Sequence, residues 1–76
     1  MAEALILINV EVGTMEKVFE RIKKMEQVQR SAMITGPYDI MALAQGRDIE
    51  EISQTLMKKI RKIGGVKETT TCVEIE

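Results

Sequence analysis

The sequence predicts a small α+β domain with the element order β-α-β-β-α-β. Three observations carry that prediction. Short apolar runs, in part β-branched and bounded by glycine, alternate with two longer stretches whose apolar residues recur every three or four positions. The second half of the 76-residue chain also echoes the first at an offset of half its length. Arg21-Ile22-Lys23-Lys24-Met25 and Val28 match Lys59-Ile60-Arg61-Lys62-Ile63 and Val66. Finally, one glycine-proline turn sits mid-chain, where two such halves would join.

Each element follows from its residues. Leu5-Ile6-Leu7-Ile8 with Val10 and Val12 reads as a strand that stops at Gly13. Thr14 is then placed to cap a helix, with Glu16 in the first turn at the positive end of the dipole. Met15, Val18, Phe19, Ile22 and Met25 form its apolar stripe. Val28 to Thr35 reads as a second strand, Gly36-Pro37-Tyr38-Asp39 as a turn, and Ile40 to Ala44 as a third strand. Asp48-Ile49-Glu50-Glu51 has the spacing of a capping box. The helix it opens would bury Ile49, Ile52, Leu56, Ile60 and Ile63 and end at Gly64-Gly65 in a left-handed cap. Val66 to Ile75 reads as the last strand. Two β-α-β halves with right-handed crossovers give a four-stranded antiparallel sheet with both helices on one face. This is the ferredoxin-like fold, expected to span residues 1–76 as one domain.

The other sheet face should be covered. If Gly36 to Asp39 form the loop, Thr35 opposes Ile40. Ala32, Ile34, Met41 and Leu43 then share one face, and Ser31, Met33, Thr35, Ile40, Ala42 and Ala44 share the other. The first set, uniformly apolar, is expected to face the helices. The second is smaller and mixed, yet too apolar for water. Both alternating sets of the first strand, Leu5 with Leu7 and Ile6 with Ile8, are apolar as well. An antiparallel sheet with one wet face alternates cleanly, and this one does not. A two-fold dimer packed through the open sheet face is the simplest solution.

Composition limits the chemistry. A chain this short buries only about 60% of its unfolded surface, so association is a natural aid to stability. The net charge of −1 gives no bulk attraction to nucleic acid or anionic lipid. The longest unbroken apolar runs, Ala4 to Ile8 and Ile40 to Ala44, are too short for a membrane span. The lone Cys72 points to a reducing, cytoplasmic setting and reads as a small hydrophobe rather than a nucleophile. There is no histidine, so no imidazole base and no His-bearing metal site is expected. Neither Ser31 nor Ser53 has a recognisable base nearby, and no phosphate-binding glycine motif occurs. No catalytic residue, metal or cofactor is expected. Lys23-Lys24 and Lys58-Lys59-Ile60-Arg61-Lys62 lie near helix C-termini, where cations complement the dipole. The six methionines read as core filler.

Gly36-x-Tyr38-Asp39 is the sharpest local signal. A glycine turn exposes backbone N–H groups that can hold a carboxylate, and an adjacent aspartate can take an ammonium. Together these are the needs of a free α-amino acid. Turn chemistry alone equally fits a plain hairpin in which Asp39 bonds its own loop.

The motifs in sequence resemble the ligand-binding half of the Lrp/AsnC, or feast/famine, transcription regulators, often called the RAM domain. In that family a Gly-x-(Tyr/Phe)-Asp pattern follows the second strand, here Gly36, Tyr38 and Asp39. A Gly-Val-x-x-Thr-x-Thr pattern follows the second helix, here Gly65, Val66, Thr69 and Thr71. The resemblance covers Leu5 to Ile75. It implies a non-enzymatic module that binds a small effector, commonly an amino acid, between subunits. Gly36, Tyr38 and Asp39 would line the pocket, and Thr69 and Thr71 would add hydroxyls. It further implies dimers that close into octamer or decamer rings. Only Met1-Ala2-Glu3 precede the first strand, so a stand-alone module without a helix-turn-helix domain is expected, with no direct DNA binding. Full-length Lrp/AsnC regulators are the natural further partners. The alternatives are an assembly module that binds no ligand and an ACT-like amino-acid sensor, which shares the element order.

Overall fold

The computed structural model describes residues 1–75. It contains β1 (Ala2–Val10), α1 (Met15–Lys23), β2 (Val28–Met33), β3 (Ile40–Gly46), a second helix α2 over residues 49–61, and β4 (Val66–Cys72). The strands form one antiparallel sheet in the order β2-β3-β1-β4. This is the expected β-α-β-β-α-β order and ferredoxin-like topology. β1 and β3 lie at the centre, paired from Ala2 opposite Gly46 to Ile8 opposite Ile40. The last strand is shorter than expected: Val73 to Ile75 lie beyond it. No helix of the described residues is long and apolar enough to cross a membrane.

The core lies between the helices and one sheet face. β1 contributes Ala4, Ile6 and Ile8, and β3 contributes Ile40, Ala42 and Ala44. α1 contributes Val18 and Ile22, and α2 contributes Ile52, Leu56, Met57 and Ile60. Each buried Ile, Leu or Val is worth about 1.5–3 kcal/mol relative to exposure. Among the described residues no side chain with a polar or charged group is buried, so hydrophobic packing alone fills the interior.

This reverses the expected assignment of the faces. Ile40, Ala42 and Ala44 face the helices, while Met41 and Leu43 lie half-buried on the open side with Leu5 and Leu7. The hairpin register also differs: Met33, not Thr35, opposes Ile40. The two-residue slip keeps each side-chain set together, so the sets stand and only their sides exchange. The reason is space. Ala4, Ala42 and Ala44 let the helices approach the central strands, and the isoleucines and Leu56 then fill the layer.

Helix ends and phase differ in detail. Asp48 Oδ1 accepts from the Glu51 amide at 2.8 Å, as a capping box requires. The returning carboxylate, Glu51 Oε1, takes the Arg47 amide instead of that of Asp48. Thr14 does not cap α1 with its side chain; its hydroxyl donates to Glu11 O at 2.7 Å. Residues Ile52–Leu56 wind as a π turn, with the Met57 amide bonded to Ile52 O. The wider turn adds a residue to the buried face, so Leu56 and Met57 are both buried while Ile49 is left 37% exposed. Ser53 Oγ donates back to Ile49 O at 2.9 Å in this stretch. After α2 the left-handed residue is Gly65, at φ 109°. A Cβ there would meet Thr14 Oγ1 at 2.6 Å and Thr14 Cβ at 2.7 Å. Gly65 O also accepts from the Glu11 amide at 2.7 Å, which ties the last loop to the first.

Candidate functional site

The hairpin between β2 and β3 is held by Asp39. Its carbonyl accepts from the Ile34 amide at 2.9 Å and closes the loop. Its amide donates to Ile8 O at 3.0 Å. Its carboxylate Oδ2 accepts from the Val10 amide at 2.9 Å. β3 begins opposite Ile8, so the end of β1 has no β3 residue beside it. The Asp39 side chain occupies that place and satisfies a backbone donor that is otherwise left unpaired. A carboxylate on a backbone N–H is a charge-assisted bond. Among the described residues its second oxygen, Oδ1, accepts nothing.

Gly36 stands at φ 126° on the exposed turn, with nothing beyond its chain neighbours within 4 Å of where its Cβ would be. Pro37 follows it and supplies no donor. Within the described residues the amides of Gly36 and Tyr38 bond to no protein group. The Tyr38 hydroxyl lies 3.3 Å from Thr70 Oγ1. β1 separates β3 from β4, so the Tyr38 side chain spans the central strand to reach the edge strand.

Sheet register sorts the threonines. Thr69 and Thr71 pair with Ile8 and Ile6, whose side chains are buried beneath the helices. Both therefore point to the helix side. Thr69 Oγ1 accepts from Arg61 Nε at 3.3 Å, and Thr71 is exposed. Thr70 pairs with Leu7 and faces the open side. One copy of the chain thus brings Gly36, Tyr38 and Asp39 together and joins them to Thr70. Thr69 and Thr71 lie across the sheet. Sequence reasoning misses Thr70 because alternation alone does not say which set faces the turn; the pairing with β1 supplies that phase.

The open face has two characters. At the turn end, Asn9 Nδ2 donates to Glu68 Oε1 at 3.4 Å beside the Tyr38–Thr70 pair. Further along, Leu5, Leu7, Met41 and Leu43 are half-buried and apolar. A recess of about 320 Å³ opens at the far end, lined by Leu5, Leu43, Cys72 and Val73 with Glu3 and Glu74 at its margin. Among the described residues no three acidic or cysteine side chains converge as a metal site would require.

The family model of the Lrp/AsnC ligand binding domain matches residues 3–76. The chain belongs to that family. An uncharacterized HTH-type transcriptional regulator of Pyrococcus abyssi is 30% identical over 70 residues, which are 92% of this chain and 44% of the regulator. The chain therefore spans less than half the length of such relatives. The crystal structure of TTHA0845 from Thermus thermophilus superposes with a TM-score of 0.92 at 30% identity, covering 100% of this chain and 95% of that one. A transcriptional regulator of Neisseria meningitidis, NMB0573, solved as a complex with L-Met, gives a TM-score of 0.84 at 17% identity. The match covers 99% of this chain and 50% of that one, and at that identity the likeness is one of fold. The family is one of regulator ligand-binding domains, not of enzymes. This chain is accordingly a domain of the ligand-binding type found in such transcriptional regulators.

Proposed function

We propose that the effector is a free amino acid and that the hairpin turn recognises its backbone. The observation that carries this reading is the state of Asp39. One carboxylate oxygen is fixed by the Val10 amide, and the other has no partner among the described residues. The fixed oxygen sets the geometry, and the free one is available for an ammonium. The unbonded amides of Gly36 and Tyr38, in the same turn, would take the carboxylate. The Tyr38 hydroxyl, anchored at Thr70, borders the space left for the side chain. The complex of the Neisseria regulator with L-Met supports the same class of ligand.

The module works as an oligomer in this reading. Leu5, Leu7, Met41 and Leu43 on the open face pack against a second copy. Thr69 and Thr71 lie on the opposite side of the sheet from the Tyr38–Thr70 pair. A site that used them with the turn would be shared between copies. Occupancy then shifts how copies pack, and that shift is passed to Lrp/AsnC regulators assembled with the module.

A thermal-shift screen of the twenty amino acids tests the proposal. A ligand that binds only the folded state raises stability by RT ln(1 + [L]/Kd), so millimolar ligand reveals weak sites. At least one amino acid is expected to raise the melting temperature, and Asp39→Asn should reduce the rise. The second reading, an assembly module without ligand, rests on the apolar open face. Silence across the panel from an intact oligomer would favour it.

A further inference from the structure

The basic run that ends α2 does more than complement the helix dipole. Arg61 turns off the helix toward edge strand β4, where Nε donates to Thr69 Oγ1 at 3.3 Å. Arg61, Val66, Lys67, Glu68 and Thr69 line a recess of about 290 Å³ at that edge. Among the described residues, neither Arg61 nor Lys67 has an acidic partner, and neither do Lys58, one turn earlier on α2, and Lys62, just past its end. The one carboxylate in the lining, on Glu68, accepts from Asn9 Nδ2 at 3.4 Å. Two cations, Arg61 and Lys67, thus meet one carboxylate in the lining, which leaves the recess net positive in a chain whose net charge is −1.

The geometry favours one ligand chemistry. With Nε committed to Thr69, the guanidinium keeps its two terminal amino groups as a planar fork, the shape that grips an oxyanion bidentately. The Thr69 hydroxyl oxygen accepts from Arg61, so its own proton is free to donate into the recess. Lys67 adds a second positive charge from the strand. We propose that this recess binds a phosphoryl dianion: Arg61 forks two of its oxygens, Thr69 donates to a third, and Lys67 offsets the Glu68 carboxylate. A monocarboxylate has only the two oxygens that the fork takes. The recess lies on the helix side of the sheet, whereas Tyr38 and Thr70 meet on the open side. Within one copy it is thus a site separate from the proposed amino-acid turn, and Thr69 is the one residue the two would share if the turn of another copy reached it.

The test is a titration of the ¹⁵N-labelled full chain with inorganic phosphate at constant ionic strength, with chloride and acetate in parallel. Arg61 Nε–Hε and the amides from Lys67 to Thr69 are the reporters. Phosphate is expected to give saturable shifts at these positions, with chloride and acetate giving none. Arg61→Gln should weaken binding by about tenfold or more, as loss of a bidentate charged contact does. Lys67→Gln, at an exposed position where the change leaves the core untouched, provides a second variant. Shifts that grow linearly and match those of chloride would overturn the site, as would phosphate binding indifferent to both substitutions. Equal saturation by acetate would overturn the assignment to a phosphoryl group.

Discussion

Asp39→Ala removes the only side chain that, among the described residues, serves the Val10 amide. The bond is 2.9 Å long and charge-assisted, and Val10 is 9% exposed, so water has little access to the abandoned N–H. A hydrogen bond to a charged group contributes about 1.5–3 kcal/mol, and an unsatisfied buried donor costs a comparable amount that overlaps with it. The net expectation is a loss of about 2–3 kcal/mol, a large share of the roughly 5–15 kcal/mol that holds a small domain folded. Asp39→Asn keeps an oxygen that can accept from Val10 and loses only the charge, so it should cost about 1 kcal/mol. Urea unfolding followed by circular dichroism reads the difference. With a slope of about 1 kcal/mol per molar urea, Ala should lower the midpoint by about 2–3 M and Asn by about 1 M. All samples must share one protein concentration, because association adds to apparent stability. Equal midpoints for the two variants would refute the reasoning, since the bond would then not act through its acceptor. The comparison also makes Asp39→Asn, not Asp39→Ala, the proper probe of binding.

Other outcomes follow from the same geometry. Gly65→Ala meets both positive φ and a Cβ 2.6 Å from Thr14 Oγ1, whereas Gly36→Ala meets positive φ alone. The first should cost about 2–5 kcal/mol and the second about 1–2, measured by urea unfolding. Met57→Ala should cost about 2–5 kcal/mol, as for a fully buried methionine, while Ile49→Ala, at a partly exposed position, should cost much less. Leu7→Lys, on the half-buried open face, should leave the fold intact by circular dichroism and shift sedimentation toward monomer. Unchanged sedimentation would remove the open face from the assembly.

The topology is legible in the sequence because each element carries its own signal. The internal echo, the Asp48 capping box and the Gly36-Pro37 turn are local, and local chemistry decides them. The first-strand argument also needs no register, and both faces of β1 are indeed apolar. The features that sequence reasoning misplaces depend on three dimensions. Residue size favours the larger apolar set for the core, but Ala42 and Ala44 lie there because the helices come close to β3. The π turn at Ile52–Leu56 buries Met57, which a fixed helical period leaves out. Thr14 has the chemistry of a cap, yet its hydroxyl goes to Glu11 O in the preceding turn. At the candidate site, the motif names the turn, but neither the Asp39–Val10 bond nor the Tyr38–Thr70 pair can be read without the strand order.

The most direct test of the amino-acid reading is calorimetric titration of the strongest screening hit into the native protein and Asp39→Asn at matched oligomeric state. Saturable binding to the native protein, weakened at least about tenfold in the variant, a difference of about 1.4 kcal/mol, is the expected result. Equal affinity in both, with the fold intact, would contradict it and place the effector away from the turn.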